Sequence, residues 1–125
     1  METSPAHKQV RPLNHPAHRL EIHAETDDLG RQILTLSGDV DRQTVGQLRE
    51  HLLGGAAGAT TMVIDLREVE FMDSPGLGAL VHCQRVLAHK GTRLVTRAAQ
   101  GDVRDLLETT GADELLTIED PPAVG

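Results

Sequence analysis

Hydrophobic residues recur along the chain in two alternating periods, and the first of these predicts β-strands. Leu20 and Ile22 are two residues apart, as are Leu34 and Leu36, which is the spacing of half-buried strands. The run Thr61–Leu66 is denser in apolar residues and suits a central strand that is buried on both faces. The predicted strands cover residues 18–24, 31–37, 61–66, 92–96 and 115–118.

The second period predicts amphipathic helices between the later strands. Val45, Leu48 and Leu52 lie at i, i+3 and i+7, on one face of a helix that Asp41 is placed to cap. Gly91 and Gly111 follow the other two helices at the position where left-handed backbone ends a helix. The predicted helices cover residues 42–53, 75–89 and 102–110.

The order of these elements is β-β-α-β-α-β-α-β, which predicts an α/β fold. A turn-like segment at residues 26–30 joins the first two strands and favours an antiparallel hairpin. The later strands alternate with helices, and such crossovers build parallel sheets. We therefore predict one mostly parallel sheet with an antiparallel N-terminal hairpin and helices packed on it.

The chain divides into one domain and two ends. Three prolines, Pro5, Pro12 and Pro16, interrupt a first segment that shows no hydrophobic period, so residues 1–18 are expected to be a disordered tail. Residues 19–119 are predicted to form the domain, and residues 120–125 a loose C-terminus. A chain of 125 residues fits a single domain of this kind.

Composition excludes several classes of partner. The formal net charge is −7, and Phe71 is the single aromatic residue, so neither a cationic surface nor stacking rings favour DNA binding. No apolar run approaches the roughly 20 residues that span a bilayer, which argues against membrane insertion. Cys83 is the only cysteine, and with no leader-like apolar segment we expect a reducing, cytoplasmic setting.

The segment Phe71–Gly78 carries the least ordinary sequence, because it follows a buried strand and opens a helix. Ser74 precedes Pro75, which predicts Ser74 as the N-cap and Pro75 as the first helical residue. Gly76 and Gly78 would leave backbone N–H groups of the first turn open to an anion. A phosphate on Ser74 is one interpretation of this site and simple helix capping is the other, while Asp73 either orients a ligand or adds a charge near the helix dipole.

The helix after this motif predicts a docking face. A polar stripe comprises Gly78, His82, Arg85 and His89, and it begins beside Ser74. We expect a protein partner to contact this stripe and the motif loop together; an ordinary solvated face is the alternative.

Asp39 and Asp41 follow the second strand. Because the carboxyl ends of parallel strands share one edge of a sheet, Asp41 is expected to approach Asp73 and Ser74, although capping of the first helix would explain it equally.

The sequence contains no recognisable catalytic, metal-binding or cofactor motif. The pair Gly76 and Gly78 lacks the lysine of a Walker loop and the third glycine of a dinucleotide loop. His15 and His18 have no cysteine or carboxylate to complete a zinc site, and Cys83 has no identifiable base, which favours a structural thiol. We expect a binding protein rather than an enzyme, with no cofactor and no metal.

Four segments in order resemble STAS domains, and especially the bacterial anti-sigma factor antagonists. The resemblance covers about Leu20 to Glu119. The segments that carry it are LSGDVD at 36–41, VIDL at 63–66 with FMDSPGLGAL at 71–80, GTRLV at 91–95 and VRDLLETTG at 103–111. It implies a single STAS-like domain that binds an anti-sigma factor with a serine-kinase ATPase fold, in a partner-switching pathway that regulates transcription.

One position departs from the family pattern. Residues 73–77 resemble the family motif D-S-[S/T]-G-L, in which the second hydroxyl residue usually accepts the phosphate. In this chain that position is Pro75. Either Ser74 has become the acceptor, or the protein binds without being switched by phosphorylation. Two alternative functions therefore stay open. The chain could be a stand-alone accessory subunit of a transporter ATPase, or a nucleotide-binding STAS protein.

Overall fold

The computed structural model describes residues 19–54, 60–97 and 101–119, and these ranges form nine elements. The predicted tail at 1–18 and the loose end at 120–125 lie outside the described residues. The strands are β1 Leu20–Thr26, β2 Gln32–Val40, β3 Thr61–Met72, β4 Arg93–Arg97 and β5 Ile118–Glu119. The helices are α1 Val45–Gly54, α2 Ser74–His89, α3 Gly101–Thr110 and α4 Ala112–Leu115.

The five strands form one sheet in the order β1-β2-β3-β4-β5. β1 and β2 pair antiparallel, and every other neighbouring pair is parallel. This confirms the predicted α/β fold with its N-terminal hairpin. β3 is the central strand, and residues 62–66 within it are all buried, as its apolar run indicates.

Several elements differ from the predicted bounds. β1 lies two residues later than predicted, and β2 continues to Val40 rather than ending at residue 37, so Asp39 belongs to the strand and not to the loop after it. α1 begins at Val45 rather than at residue 42, because residues 42–44 form a turn. β3 continues to Met72, paired along its second half with β2. The predicted strand at 115–118 is mostly wrong: the short helix α4 occupies 112–115, where the Leu116 N–H donates to the Ala112 carbonyl oxygen at 2.9 Å, and β5 is left with two residues.

The main hydrophobic core lies between the sheet and the helices. All four helices contribute buried residues to it, and alternate residues of the strands complete it. A second, smaller cluster lies on the opposite face of the sheet, where Ile33, Val63 and Val95 sit side by side in register. Within the described ranges no helix contributes to this second cluster, so we call this side the helix-free face.

A series of ion pairs crosses the helix-free face. Asp65 and Arg97 follow Val63 and Val95 by two residues, so their side chains lie on the same face of the sheet as those two valines. Asp65 and Arg97 are both buried. The contacts between charged atoms range from 2.7 to 3.9 Å. In order, the series comprises Asp27, Arg31, Glu119, Arg97, Asp65 and Arg67.

Candidate functional site

The candidate site begins where β3 ends, and Asp73 organises it. Its backbone is extended, with φ −108° and ψ 179°, and its Oδ1 accepts a hydrogen bond from the Gly76 N–H at 2.8 Å. Its carbonyl oxygen accepts the first helical hydrogen bond, from the Leu77 N–H at 2.9 Å. Asp73 is therefore the N-cap of α2.

The prediction that Ser74 caps α2 is wrong by one residue. Ser74 is the first helical residue and Pro75 the second. Because proline has no backbone N–H, its place in the first turn leaves no donor without a partner. A carboxylate is a stronger acceptor than a hydroxyl, and its negative charge is favourable at the positive end of a helix. Capping by Asp73 leaves the Ser74 side chain exposed, and within the described residues its hydroxyl has no hydrogen-bond partner.

The ends of β2 and β3 meet at this point, as the parallel sheet predicts. The Asp73 N–H donates to the Val40 carbonyl oxygen at 3.2 Å, and the Arg42 N–H donates to Asp73 Oδ2 at 3.2 Å. Both carboxylate oxygens of Asp73 thus accept backbone N–H groups, one from its own helix and one from the loop after β2. These hydrogen bonds hold the start of α2 next to the turn at residues 42–44, which precedes α1.

Asp41 lies in the same loop but faces inward. It is 1% exposed, and its Oδ1 accepts from the N–H groups of Gln43 at 2.9 Å and Thr44 at 3.1 Å. In return, Thr44 Oγ1 accepts from the Asp41 N–H at 3.0 Å, a reciprocal cap. Asp41 therefore shapes the turn that carries Arg42 to Asp73, and the expectation that it contacts a partner directly does not fit its burial. Asp39 is buried within β2.

The two glycines of the first turn play different parts. Gly76 is buried, and a Cβ added there would collide with the carbonyl group of Val40. Its N–H is already bound by Asp73, so the expectation that Gly76 offers an open donor to an anion is wrong. Gly78 is exposed, and a Cβ there would meet nothing within 4 Å.

The polar stripe of α2 is exposed along its whole length. Gly78, His82, Arg85 and His89 all lie on the surface, as their helical spacing predicts. On the opposite side Leu77, Leu80 and Leu87 are buried, whereas Ala88 is exposed although its 3.6-residue spacing places it nearer to them than to the stripe. The stripe begins one turn from the exposed Ser74 and Pro75, so the motif and the stripe form one continuous surface.

Cys83 is fully buried on the inner side of α2. Burial raises the pKa of its thiol, and the positive charge of Arg49 opposes this shift without cancelling it. A protonated, enclosed thiol is a poor nucleophile, which agrees with a structural role.

Gln84 has a role that the sequence pattern did not indicate. Its Nε2 donates to the Leu115 carbonyl oxygen at 2.8 Å, and its Oε1 accepts from the Thr117 N–H at 2.9 Å. One side chain of α2 thus holds the segment between α4 and β5. A glutamine among apolar helix positions was the available signal, but its partners lie 31 and 33 residues away in the chain.

The described ranges contain no group of three or more His, Cys, Asp or Glu side chains that could hold a metal ion. None of the helices in these ranges is long and apolar enough to cross a bilayer. The histidine pair of the N-terminal segment, His15 and His18, lies outside the described residues.

Comparison with known proteins agrees with this architecture. Residues 23–117 match the family model described as "Mlab, STAS domain". The chain is 27% identical over 101 residues to an anti-sigma-B factor antagonist of Listeria monocytogenes, covering 80% of this chain and 89% of that protein.

Solved structures are similar over most of their length. The crystal structure of an anti-sigma factor antagonist from Mycobacterium paratuberculosis has a TM-score of 0.75 and 26% identity, covering 88% of this chain and 92% of that one. The Bacillus cell fate determinant SpoIIAA in its phosphorylated form has a TM-score of 0.62 and 20% identity, covering 82% and 92%. The second likeness, at this identity, concerns the fold alone.

Proposed function

The chain belongs to the STAS domain family, whose model matches most of its length, and from this premise we propose that it is an anti-sigma factor antagonist. In this proposal it is a cytoplasmic, non-enzymatic regulator in a partner-switching pathway, and it frees a sigma factor by binding an anti-sigma factor of the serine-kinase type. The relative from Listeria and the structure from Mycobacterium, both described as antagonists, support the assignment.

The observation that carries the proposal is the fixed, exposed start of α2. Asp73 is held by backbone groups from two elements, while the next two residues, Ser74 and Pro75, are exposed and make no capping bond. A rigid backbone that presents exposed side chains suits recognition by a protein, because little conformational freedom is lost on binding. The polar stripe extends this surface along the helix.

We propose further that the antagonist binds without being switched off by phosphorylation. Pro75 occupies the usual acceptor position and has no hydroxyl. A phosphate on the neighbouring Ser74 would lie beside the Asp73 carboxylate, and the Gly76 N–H that could stabilise it is already bound. Phosphorylation of Ser74 remains the competing form of the proposal, and it predicts a stoichiometric phosphate at that residue in protein from native cells.

The experiment uses the identified partner. The tagged full-length chain is used to isolate bound proteins from its native cells, and the anti-sigma factor named by mass spectrometry is then purified and titrated by calorimetry. We expect Ser74→Tyr to weaken the affinity at least about tenfold, as obstruction of an interface centre does. The matched control, Thr109→Tyr on the exposed side of α3, is expected to bind like the unmodified chain.

Two results would contradict the proposal. Equal affinities of both tyrosine variants would remove the start of α2 from the interface. Co-purification of transporter ATPase subunits in place of an anti-sigma factor would favour the accessory-subunit function, which the absent hydroxyl at Pro75 also fits. Calorimetric titration with ATP and GTP tests the nucleotide-binding alternative.

A further inference from the structure

The outer edge of β1 is open. β1 is the first strand of the sheet and pairs with β2, and within the described part of the chain no strand covers its other edge. The opposite edge strand, β5, has two residues and offers a partner little to pair with. β1 has seven residues, which pair with β2 in an unbroken register without a bulge. It is therefore the long, regular edge of the described sheet.

β1 lacks most of the features that protect an edge strand from pairing. Proteins blunt such edges with proline, lysine or a bulge. The strand sequence LEIHAET contains neither proline nor lysine. Its charged side chains are the exposed carboxylates of Glu21 and Glu25. These repel a strand that places carboxylates opposite them and attract one that places cations there, so charge decides which strand fits this edge.

Hydrogen bonding fixes which residues offer backbone groups at the open edge. The Asp39 N–H donates to the Arg19 carbonyl oxygen at 2.7 Å, so the odd-numbered residues of this strand direct their backbone groups to β2. The even-numbered residues, among them Leu20 and Ile22, therefore direct theirs away from the sheet. In agreement, the Leu20 carbonyl oxygen accepts from Gln47 Nε2 of α1 at 2.9 Å, and it retains a second lone pair.

A second copy of the chain fits this edge in one antiparallel register. With Ile22 opposite the Ile22 of the second copy, Arg19 faces Glu25 and Glu21 faces His23, twice each about the two-fold axis. Outward-facing residues then lie opposite each other, as antiparallel hydrogen bonds require. The adjacent registers that keep this match place Glu21 opposite Glu25 in one direction and opposite the second Glu21 in the other. Like charges disfavour both.

The same register joins apolar side chains on the helix side of the sheet. Ile22 is half-buried at the margin of the main core, and Ala24 is exposed. In the pairing the two Ile22 side chains meet, and Ala24 meets Leu20 of the second copy, with about six main-chain hydrogen bonds between them. The odd-numbered side chains lie on the helix-free face, so the charged contacts and the apolar contacts occupy separate sides.

Arg19 is available for such a contact. Within its own chain it pairs with Glu21 at 3.3 Å, and the two side chains are 66% and 67% exposed. An ion pair this exposed contributes little and exchanges partners readily.

We propose that β1 is a self-association edge, through which two copies of this chain pair antiparallel about Ile22 and join their five-stranded sheets into one. The inference goes beyond the proposed function and does not rest on it. The edge belongs to the first strand, whereas the start of α2 follows the central strand β3. The occupant of the edge is a second copy because the strand is complementary to itself in charge, in apolar contacts and in backbone direction.

The test measures the dimer dissociation constant of the untagged full-length chain by sedimentation velocity. Interference optics are used because the chain contains no Trp or Tyr. We expect a reversible dimer. Ile22→Pro removes an outward N–H and leaves the hydrogen bonds to β2 in place, so it is expected to raise the dissociation constant at least about tenfold. Ile22→Val keeps the N–H and is the matched control, expected within about twofold.

A charge exchange tests the register. Arg19→Glu and Glu25→Arg are each expected to raise the dissociation constant several-fold, because each places like charges opposite one another. The double variant restores the opposite charges and is expected to return to within about twofold of the unmodified chain. Arg104→Glu changes the net charge as Arg19→Glu does, but on the exposed side of α3, and is expected to leave the dimer unchanged.

Three results would overturn the inference. The first is an unmodified chain that stays monomeric at every concentration. The second is a dimer that folded Ile22→Pro leaves intact, since the interface would then lie elsewhere. The third is tighter association of Glu25→Arg, which indicates the register that places Glu21 opposite residue 25. Urea midpoints by circular dichroism show whether each variant is folded, and where Ile22→Pro is not, the charge exchange decides.

Discussion

Gly76 lies so close to Val40 that a side chain at this position would occupy the space of the Val40 carbonyl group. The contact joins the first turn of α2 to the end of β2. The Asp73 N–H donates to the same carbonyl oxygen. One carbonyl group of β2 therefore fixes both where α2 begins and how closely its first turn packs against the sheet. The exposure of Ser74 and Pro75 follows from this seating.

Gly76→Ala is expected to destabilise the protein by about 2 kcal/mol, because the added Cβ must displace backbone. Gly78→Ala is the matched control: it lies in the same helix with open space around it, and it is expected to stabilise by up to about 1 kcal/mol through helix propensity. Urea denaturation followed by circular dichroism measures both. An unchanged free energy of unfolding for Gly76→Ala would contradict the contact with Val40.

Asp73→Ala is expected to lower the free energy of unfolding by about 1 to 2 kcal/mol, since it removes the N-cap of α2 and the acceptor for the Arg42 N–H. Asp73→Asn retains a capping oxygen, so it is expected to lose less. Chemical denaturation of the three proteins at neutral pH gives the comparison. Two variants as stable as the unmodified chain would show that the side-chain oxygens do not support the helix.

Pro75→Ser restores a hydroxyl at the family's usual acceptor position. With the purified kinase-type anti-sigma factor and ATP, we expect phosphate on the introduced hydroxyl of this variant and none on the unmodified chain. Intact-mass measurement gives the stoichiometry, and peptide mapping gives the site. Stoichiometric phosphate on Ser74 of the unmodified chain would show instead that Ser74 is the acceptor.

The ion pairs of the helix-free face predict a loss of stability in acid. Burial alone would raise the pKa of Asp65, but hydrogen bonds from Arg67 and the charge of Arg97 outweigh it and hold this pKa below its ordinary value of 3.8. Burial also acts to raise the pKa of Glu119, and hydrogen bonds from Arg97 and Arg31 bring it below 4.5. Because both carboxyls are more acidic in the folded state, their stabilisation is full above the ordinary values and is lost as the pH falls through the folded ones.

Asp65→Asn tests this dependence. It is expected to lower the free energy of unfolding by about 1.5 to 3 kcal/mol at neutral pH, because charge-assisted hydrogen bonds are lost. It is also expected to flatten the fall in stability between about pH 5 and pH 2. Glu108→Gln removes an equal charge from the exposed side of α3 and serves as the control. A variant whose stability falls with pH as steeply as that of the unmodified chain would contradict the role of Asp65.

The sequence was sufficient to predict the sheet and the helix that opens after Asp73, but not the details of that helix start. Period-two spacing around Leu20 and Leu34 predicted the hairpin, and the apolar run after Thr61 predicted the central strand, because both signals are local. The N-cap was misplaced by one residue because Ser74 and Asp73 are both good capping residues, and the choice depends on the Val40 carbonyl, a contact distant in the chain.

Long-range polar contacts were the main omission. The polar contacts of Gln84 were not predicted, and neither was the ion pair between Asp65 and Arg97. Their partners lie far away in sequence, and only the sheet register brings them together. The burial of Asp41 was not predicted, because the sequence does not show whether a side chain in the loop after β2 points inward or towards solvent.

The sequential order of the five strands gives the domain a direction of assembly during translation. Each strand pairs only with its neighbours in the chain, so a nascent polypeptide can extend the sheet one edge at a time. The Arg97 and Arg31 side chains meet Glu119 only when the last strand has left the ribosome. We expect a chain stopped before residue 119 to keep the pairing of β1 to β4, while Arg97 loses this carboxylate and retains only the longer contact with Asp65.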